Sequence, residues 1–239
     1  IPTRQGITAR LLYVAPEKPK AAAVLFPGGQ GDFQVDKDAS IIRQQGNFLV
    51  RTRDLFAEKG IAVAVIAPPS DRTNIDVFFR ETREHAEDVR ALIAWLRRET
   101  GVPVWLVGTS RGTLSAGYVA TQLPRGEGGV DGIVLTSTIL SGGAGSRRTR
   151  DPTVIELALE RIAVPVLVVH HQRDGCRSCP VGQVPWLMGK LTAAPRKEFI
   201  PVEGGADEGD SCGPLAHHGY NGIEREVVEK IAGWMLRAP

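Results

Sequence analysis

Seven short runs rich in apolar and β-branched residues recur along the chain, and they restrict its fold more than any other sequence feature. Two of them, 21–26 (AAAVLF) and 61–67 (IAVAVIA), are apolar at every position. A strand that is apolar throughout is buried on both faces, as in parallel sheets that helices cover. The runs therefore predict the strands of a central, mostly parallel sheet. The other five runs occupy 7–14, 102–108, 132–137, 164–171 and 196–202.

Amphipathic segments with helical spacing separate several of these runs. In 81–99, the apolar positions 86, 89, 92, 93 and 96 share one face and charged residues occupy the other. The segment 221–237 has a similar pattern, and Asn221 followed by Glu224 resembles a capping box at its start. Strands that alternate with helices of this length predict an α/β fold with helices on both faces of the sheet.

Composition and charge limit the number of domains and the classes of partner that are expected. No repeat or linker divides the 239 residues, so one domain over 1–239 is expected. The net charge is only +2 and the basic residues are scattered, which argues against nucleic acid or an anionic membrane as a partner. The longest apolar run, 61–67, is much too short to span a bilayer. The chain starts at Ile1 instead of Met, which fits a removed export signal or a trimmed chain equally well.

The pentapeptide Gly108-Thr109-Ser110-Arg111-Gly112 matches G-x-S-x-G and lies between an apolar run and a helix-like segment. Glycine at both ends permits a tight strand-to-helix turn that displays the serine hydroxyl at the edge of the sheet. Ser110 is therefore the candidate nucleophile. A serine hydroxyl is a weak nucleophile alone, so a base and an orienting acid are expected later in the chain.

The candidate acid is Asp174, which directly follows the apolar run 164–171 at the edge where open α/β sheets place their chemistry. Asp207 and Asp210 are alternatives, although they follow the last strand. The order Ser, Asp, His agrees with the chain order expected for this arrangement.

The candidate base lies in the loop AHHGYNG before the last helix, where His218 is favoured and His217 is the alternative. Gly219 permits close approach of the backbone beside His218. The remaining histidines, His85 on the polar face of the long helix and His170 and His171 at a strand end, are expected to be structural.

Acyl transfer also needs N–H donors for the developing oxyanion. Arg111 supplies one by following the nucleophile. The second is expected in the glycine turn of LFPGGQG (25–31), from Gln30 or from Gly29 as its close competitor.

These motifs together resemble the α/β hydrolases of the esterase and lipase type, with little or no cap domain. The resemblance extends from about residue 7 to the end and is carried by GTSRG, RDG, HHGYNGIE and FPGGQG. The chain also resembles a group of poorly characterised bacterial hydrolases that are often exported. The resemblance implies a mostly parallel sheet of about eight strands and hydrolysis through an acyl-enzyme, without cofactor or metal. The HGGG form of the oxyanion turn is replaced by Pro-Gly-Gly-Gln.

All three cysteines lie between the proposed acid and the proposed base in the chain; they are Cys176, Cys179 and Cys212. If the acid and base loops converge, a Cys176–Cys212 bridge would stabilise the fold by about 3–4 kcal/mol and leave Cys179 free. Free thiols, a C-x-x-C redox pair, and a zinc site with nearby histidines are the alternatives. A bridge predicts an oxidising compartment, the periplasm or the cell exterior, with the cytoplasm as the alternative.

The sequence thus predicts a serine hydrolase that cleaves a small-molecule ester, with an amide or a thioester as the alternative substrates. A thiol or zinc protein using the cysteines and a non-catalytic binding module on the same fold are the rival functions. The 138–152 loop is too short for a cap domain, which predicts an open site for small or chain-end esters. Its basic residues would attract an anionic acyl group or would form a solvated loop; they are Arg147, Arg148 and Arg150.

Overall fold

The computed structural model describes residues 1–36, 38, 40–142 and 151–237. Its main sheet has seven strands in the order β1-β5-β2-β6-β7-β8-β9. Every neighbouring pair is parallel except β1 and β5, so the predicted mostly parallel α/β sheet is confirmed. The strands are β1 Ala9–Val14, β2 Ala21–Phe26, β3 Gln34–Val35, β4 Ile41–Arg43, β5 Ile61–Pro69, β6 Val104–Thr109, β7 Gly132–Thr136, β8 Val166–His171 and β9 Lys197–Val202.

All seven apolar runs form strands of the main sheet. Among the described residues, this sheet has no eighth strand. The segment before β1 turns back on itself, with a bridge between Pro2 and Thr8 and a bond from the Ile7 N–H to the Arg4 carbonyl. Strands β3 and β4 form a separate two-stranded ladder.

Helices cover both faces of the sheet, as the alternation of patterns predicts. Residues of α3, α4 and α5 pack on one core, and residues of α1, α2 and α6 pack on the other. Successive residues of β2 point alternately into the two cores, as strand geometry requires. The helices are α1 Phe48–Arg51, α2 Arg53–Glu58, α3 Arg83–Thr100, α4 Gly112–Gln122, α5 Val184–Lys190 and α6 Glu224–Met235. None of the helices described is long and apolar enough to cross a bilayer.

Helix α3 begins where the sequence supplies a cap, since the Thr82 side chain accepts a bond from the His85 N–H at 3.2 Å. The expected placement of His85 on the polar face is wrong. His85 is 1% exposed and packs against Phe26 and Phe79, because it lies one helical turn before Val89 on the apolar stripe.

The capping box expected at Asn221 and Glu224 is also wrong. Helix α6 begins at Glu224, and the residue before it makes no side-chain cap. Asn221 instead donates from Nδ2 to the Leu215 carbonyl, and Glu224 pairs with Arg51 at 2.8 Å. Both side chains therefore make tertiary contacts and do not cap the helix.

Candidate active site

Ser110 occupies a tight turn between β6 and α4 and has a positive φ of 52°. Left-handed backbone is uncommon outside glycine, and such strain concentrates at functional sites. Two neighbours must be glycine for the turn to close. A Cβ on Gly108 would collide with the carbonyl of Gly112, and a Cβ on Gly112 would collide with the carbonyl of Phe26. The turn is held to the sheet by the Ser110 N–H, which donates to the Thr136 carbonyl at 3.0 Å.

Asp174 lies in the loop after β8, and its side chain is fully buried. Its Oδ2 lies 2.9 Å from Nδ1 of His218, and its Oδ1 accepts the Cys176 N–H at 2.9 Å. The structure therefore brings together one aspartate and one histidine that are 44 residues apart. With Nδ1 bonded to Asp174, Nε2 of His218 is the ring nitrogen left for proton exchange.

Ser110 and His218 line the same cavity, whose volume is about 290 Å³. No hydrogen bond joins their side chains in the described structure. The buried Cys179 thiol also lies near the Ser110 hydroxyl. Catalytic hydrogen bonds in substrate-free sites are often long and tighten when substrate binds.

The other predicted acids and the alternative base lie elsewhere in this loop region. Asp207 accepts the backbone N–H of His217 at 3.1 Å, and Asp210 accepts that of Cys212 at 2.9 Å. The His217 ring stacks on His171, with ring centroids 4.1 Å apart. Its Nδ1 lies 3.6 Å from Asp207. His217 thus has different partners from those of His218.

A buried bonding network that the sequence did not reveal holds the His218 loop against the sheet. Ser137, just after β7, donates from Oγ to the His218 carbonyl at 2.7 Å. Tyr220 accepts the Ser137 N–H at 3.0 Å and donates to the Val169 carbonyl at 2.8 Å. Burial raises the pKa of the Tyr220 phenol, so this hydroxyl stays protonated and keeps its donor role. The only sequence signal was the position of Ser137 at the carboxyl end of a central strand.

The glycine turn after β2 lies beside Ser110. A Cβ on Gly28 would lie 2.9 Å from the Ser110 Cβ, and Gly29 lines the cavity while Gln30 does not. The backbone N–H groups of Gly29, Gln30 and Arg111 have no acceptor among the described residues. They are available for an incoming oxygen atom. The Arg111 side chain pairs with Asp151 at 3.1 Å, away from this role.

A buried arginine that sequence reasoning missed supports this glycine turn. Arg80 is 1% exposed and donates to the Pro27 carbonyl at 3.0 Å and to the Ser115 hydroxyl at 2.9 Å. Burial lowers its pKa to about 9, which still leaves the guanidinium charged at neutral pH. Arg80 therefore ties the turn after β2 to helix α4.

Cys176 and Cys212 form a disulfide that joins the Asp174 loop to the His218 loop. Cys179 is a buried free thiol, and burial raises its pKa well above the usual value, with the charge of Asp174 acting in the same direction. One possible metal-binding group lies here: ligand atoms of Cys176, Cys179 and His218 are within 4.8 Å of one another. A cysteine binds zinc as a thiolate, and the sulfur of Cys176 is engaged in the disulfide. The donor set therefore fits zinc poorly.

The rim of the cavity is formed by uncharged side chains. Gln44, Gln45 and Asn47 contribute carboxamides, and Phe48 and Pro214 contribute apolar surface. The three arginines expected to attract an anionic acyl group, Arg147, Arg148 and Arg150, lie outside the described residues.

Comparison with known proteins identifies the fold. No protein-family model matches the sequence, and no curated protein matches it significantly. Among solved structures, Est1E from Butyrivibrio proteoclasticus, with ferulic acid bound, is 14% identical with a TM-score of 0.61 and coverage of 97% of this chain and 95% of that one.

Two further structures agree. XC6422 from Xanthomonas campestris, described as an α/β serine hydrolase without lid, is 16% identical with a TM-score of 0.58 and coverage of 100% and 98%. The monoacylglycerol lipase of Paleococcus ferrophilus is 16% identical with a TM-score of 0.58 and coverage of 95% and 98%. The predicted α/β-hydrolase fold with little or no cap is confirmed.

Proposed function

We propose that this protein is a serine hydrolase that cleaves carboxylic esters through an acyl-enzyme, with the whole chain forming one hydrolase domain. The observation that carries the proposal is the Asp174–His218 contact of 2.9 Å, with His218 and the strained Ser110 turn lining one cavity. The similarity in fold to esterases and lipases supports it. Because one fold hosts many chemistries, the proposal depends more on the site residues than on the fold.

In the proposed reaction, Nε2 of His218 accepts the Ser110 proton while Oγ bonds to the carbonyl carbon of the ester. Asp174 stays ionised, keeps the imidazole in the required tautomer and stabilises the imidazolium that forms. The oxyanion accepts N–H groups from Arg111 and from the glycine turn, where the cavity lining favours Gly29 over Gln30.

Collapse of the tetrahedral intermediate breaks the C–O bond, and the leaving alcohol takes the proton from His218. A water molecule then repeats the sequence on the acyl-enzyme. It loses a proton to His218, its oxygen bonds to the acyl carbon, and the proton returns to Ser110 Oγ as the carboxylic acid leaves. Every proton is returned, so the cycle needs neither cofactor nor metal.

The proposed substrate is a small, uncharged ester. The cavity of about 290 Å³ is open and lined by glycines and carboxamides, without a fixed charge among its described lining residues. A long acyl chain needs a deep apolar channel, whereas the lining here offers only Phe48 and Pro214 as sizeable apolar surfaces.

The disulfide supports a location in the periplasm or outside the cell.

The deciding experiment compares the wild-type protein with Ser110→Ala and Cys179→Ala. A fluorophosphonate probe should label the wild type and Cys179→Ala but not Ser110→Ala, and hydrolysis of p-nitrophenyl acetate should follow the same pattern. Turnover that survives in Ser110→Ala would reject the serine mechanism, and loss of turnover in Cys179→Ala alone would favour the thiol function. A folded wild-type protein that neither reacts with the probe nor hydrolyses any ester of a chain-length series would indicate a non-catalytic binding module.

A further inference from the structure

The imidazole of His170, at the carboxyl end of β8, lies fully buried beside the Asp174–His218 pair. Its Nε2 accepts the backbone N–H of Thr138 at 2.8 Å. Its Nδ1 lies 3.9 Å from Oδ2 of Asp174, the same oxygen that contacts His218. Within the described chain, this Nδ1 is buried and has no hydrogen-bond partner. A buried polar atom with no partner is costly unless something compensates it, so its orientation toward a carboxylate needs a reason.

The bond from Thr138 determines which nitrogen of His170 carries the proton. A ring nitrogen that accepts an N–H must present its lone pair, so in the neutral ring the proton lies on Nδ1. Burial lowers the pKa of His170 to about 4, which keeps the ring neutral at ordinary pH. The Nδ1–H dipole therefore has its positive end on the side of the ring nearest Asp174.

A distance of 3.9 Å is too long for a hydrogen bond, so the interaction is between a dipole and a charge. Both side chains are completely excluded from solvent. In such an environment a dipole acts more strongly than in water, because little screening remains. Asp174 receives a backbone N–H from Cys176 on Oδ1 and the His218 ring on Oδ2. His170 supplies the third positive group around a carboxylate that water cannot solvate.

We propose that His170 is a positioning residue, whose Nδ1–H keeps Asp174 ionised and oriented toward His218 and weakens the proton affinity of His218. The proposal rests on the proposed function insofar as it takes Asp174 and His218 as acid and base. Nothing in the reaction requires His170 to touch the substrate, since it acts only through Asp174.

The other titratable groups near this pair do not mask the effect. Cys179 and Tyr220 face Asp174, but burial raises the pKa of both groups and they remain neutral. His171 and His217 stack on each other, and Nε2 of His171 contacts the Gly204 carbonyl at 2.9 Å. The nearby cation, Arg111, is paired with Asp151.

Two substitutions separate the dipole from the packing. His170→Asn keeps an N–H donor at the position of Nδ1, and His170→Leu removes it. Both lose the ring nitrogen that accepts from Thr138, so both should lose similar thermal stability. The loss of the dipole should appear only in the leucine variant.

The expected result in His170→Leu is a kcat lower by about tenfold or more with little change in KM, since only the geometry of the reacting groups is disturbed. The acidic limb of the pH profile of kcat/KM should move upward by about half a pH unit or more, because His218 holds its proton more tightly. His170→Asn should recover most of both quantities. Equal losses in the two variants with an unmoved limb would reduce His170 to a packing residue.

Nuclear magnetic resonance of histidine-labelled protein gives readouts that need no activity. In the wild type, the ¹⁵N shifts of His170 should show a neutral ring protonated on Nδ1, and a ring protonated on Nε2 would overturn the proposal without any variant. Titration of His218 should show the same upward shift in His170→Leu. A wild type without esterase activity would refute the proposed function, while these titrations would still decide the role of His170.

Discussion

Four residues other than glycine have a positive φ in the part of the chain that the structure describes, and each belongs either to the cavity lining or to the contacts that hold the His218 loop. Ser110 and Gln44 line it, while Ser137 and Tyr220 hold the His218 loop through hydrogen bonds. A left-handed conformation costs about 1–3 kcal/mol at such a residue and persists only where the surroundings enforce it. Strain in the lining of this cavity and in the residues that hold the His218 loop supports the proposal that the cavity is the active site.

The two adjacent histidines can be separated by substitution. His218→Ala should lower kcat by several orders of magnitude, because Asp174 then has no base to orient. His217→Ala should retain most activity, because its ring contacts His171 and Asp207 instead. Steady-state kinetics on p-nitrophenyl acetate measures both. The opposite ranking would assign the base to His217.

His85 predicts how stability depends on pH. Burial lowers its pKa to about 3, and neither ring nitrogen has a partner in the described structure. The unfolded chain protonates His85 near pH ~6.5. As the pH falls below that value the unfolded state binds the extra proton, and stability is lost progressively until about pH 3.

His85→Phe, which keeps an aromatic ring between Phe26 and Phe79, should remove this dependence. Between pH 7 and 4 the wild type should lose up to about 3 kcal/mol more unfolding free energy than the variant. Urea denaturation at a series of pH values measures the difference. Parallel curves for the two proteins would show that His85 is not buried as a neutral group.

At the level of elements, the glycine turn after β2 and the Ser110 turn after β6 follow different strands, and the proposed reaction needs them in one fixed geometry. The 3₁₀ turn Phe79–Glu81 supplies the connection, because Arg80 reaches both the Pro27 carbonyl and helix α4. A buried charge with two bonds is sensitive to the loss of either partner. Arg80 thus links the glycine turn after β2 to helix α4, which follows Ser110.

Arg80→Met should destabilise the protein by about 2–4 kcal/mol, because it leaves the Pro27 carbonyl and the Ser115 hydroxyl without partners in a buried site. It should also lower kcat by about ten- to a hundredfold through displacement of the turn. Denaturation and kinetics measure the two effects. The matched control is Arg83→Met, whose side chain is 88% exposed and should change neither quantity appreciably. Full activity in Arg80→Met would exclude the positioning role.

At the scale of the whole molecule, the disulfide connects the two loops that carry Asp174 and His218. It closes a segment of 36 residues, which corresponds to about 3–4 kcal/mol in the chain-entropy model. Stability and catalysis should therefore depend on the same bond.

Reduction should lower the melting temperature and the activity together, and Cys212→Ser should reproduce both losses without reductant. Ser211→Ala, a change at the neighbouring exposed position, is the control and should behave as wild type. Alkylation followed by mass spectrometry should find one reactive cysteine in the unfolded, unreduced protein and three after reduction. Three reactive cysteines before reduction would exclude the bridge and remove its support for an exported protein.

The sequence by itself determined the strands and their layering, because apolar runs and helical periodicity are local properties that burial enforces. It also predicted the Ser110 turn through the G-x-S-x-G pattern, although only Gly108 is required by a local contact, with Gly112, whereas Gly112 is required by the distant carbonyl of Phe26. It offered three acids, two bases, two candidates for the second oxyanion donor and several cysteine pairings, because no local rule selects among loops that are far apart in the chain. The catalytic roles of these residues stay predictions, but the tertiary structure decided which of their side chains are in contact.

Parallel register places the carboxyl ends of β6, β7, β8 and β9 side by side, and the pairing of β8 with β9 brings the loop of Asp174 and Cys176 to the loop of His218 and Cys212. The contacts of Arg80 and His170 emerged only in three dimensions. A buried polar side chain has no sequence pattern of its own, and its role depends on partners that folding brings within a few ångströms.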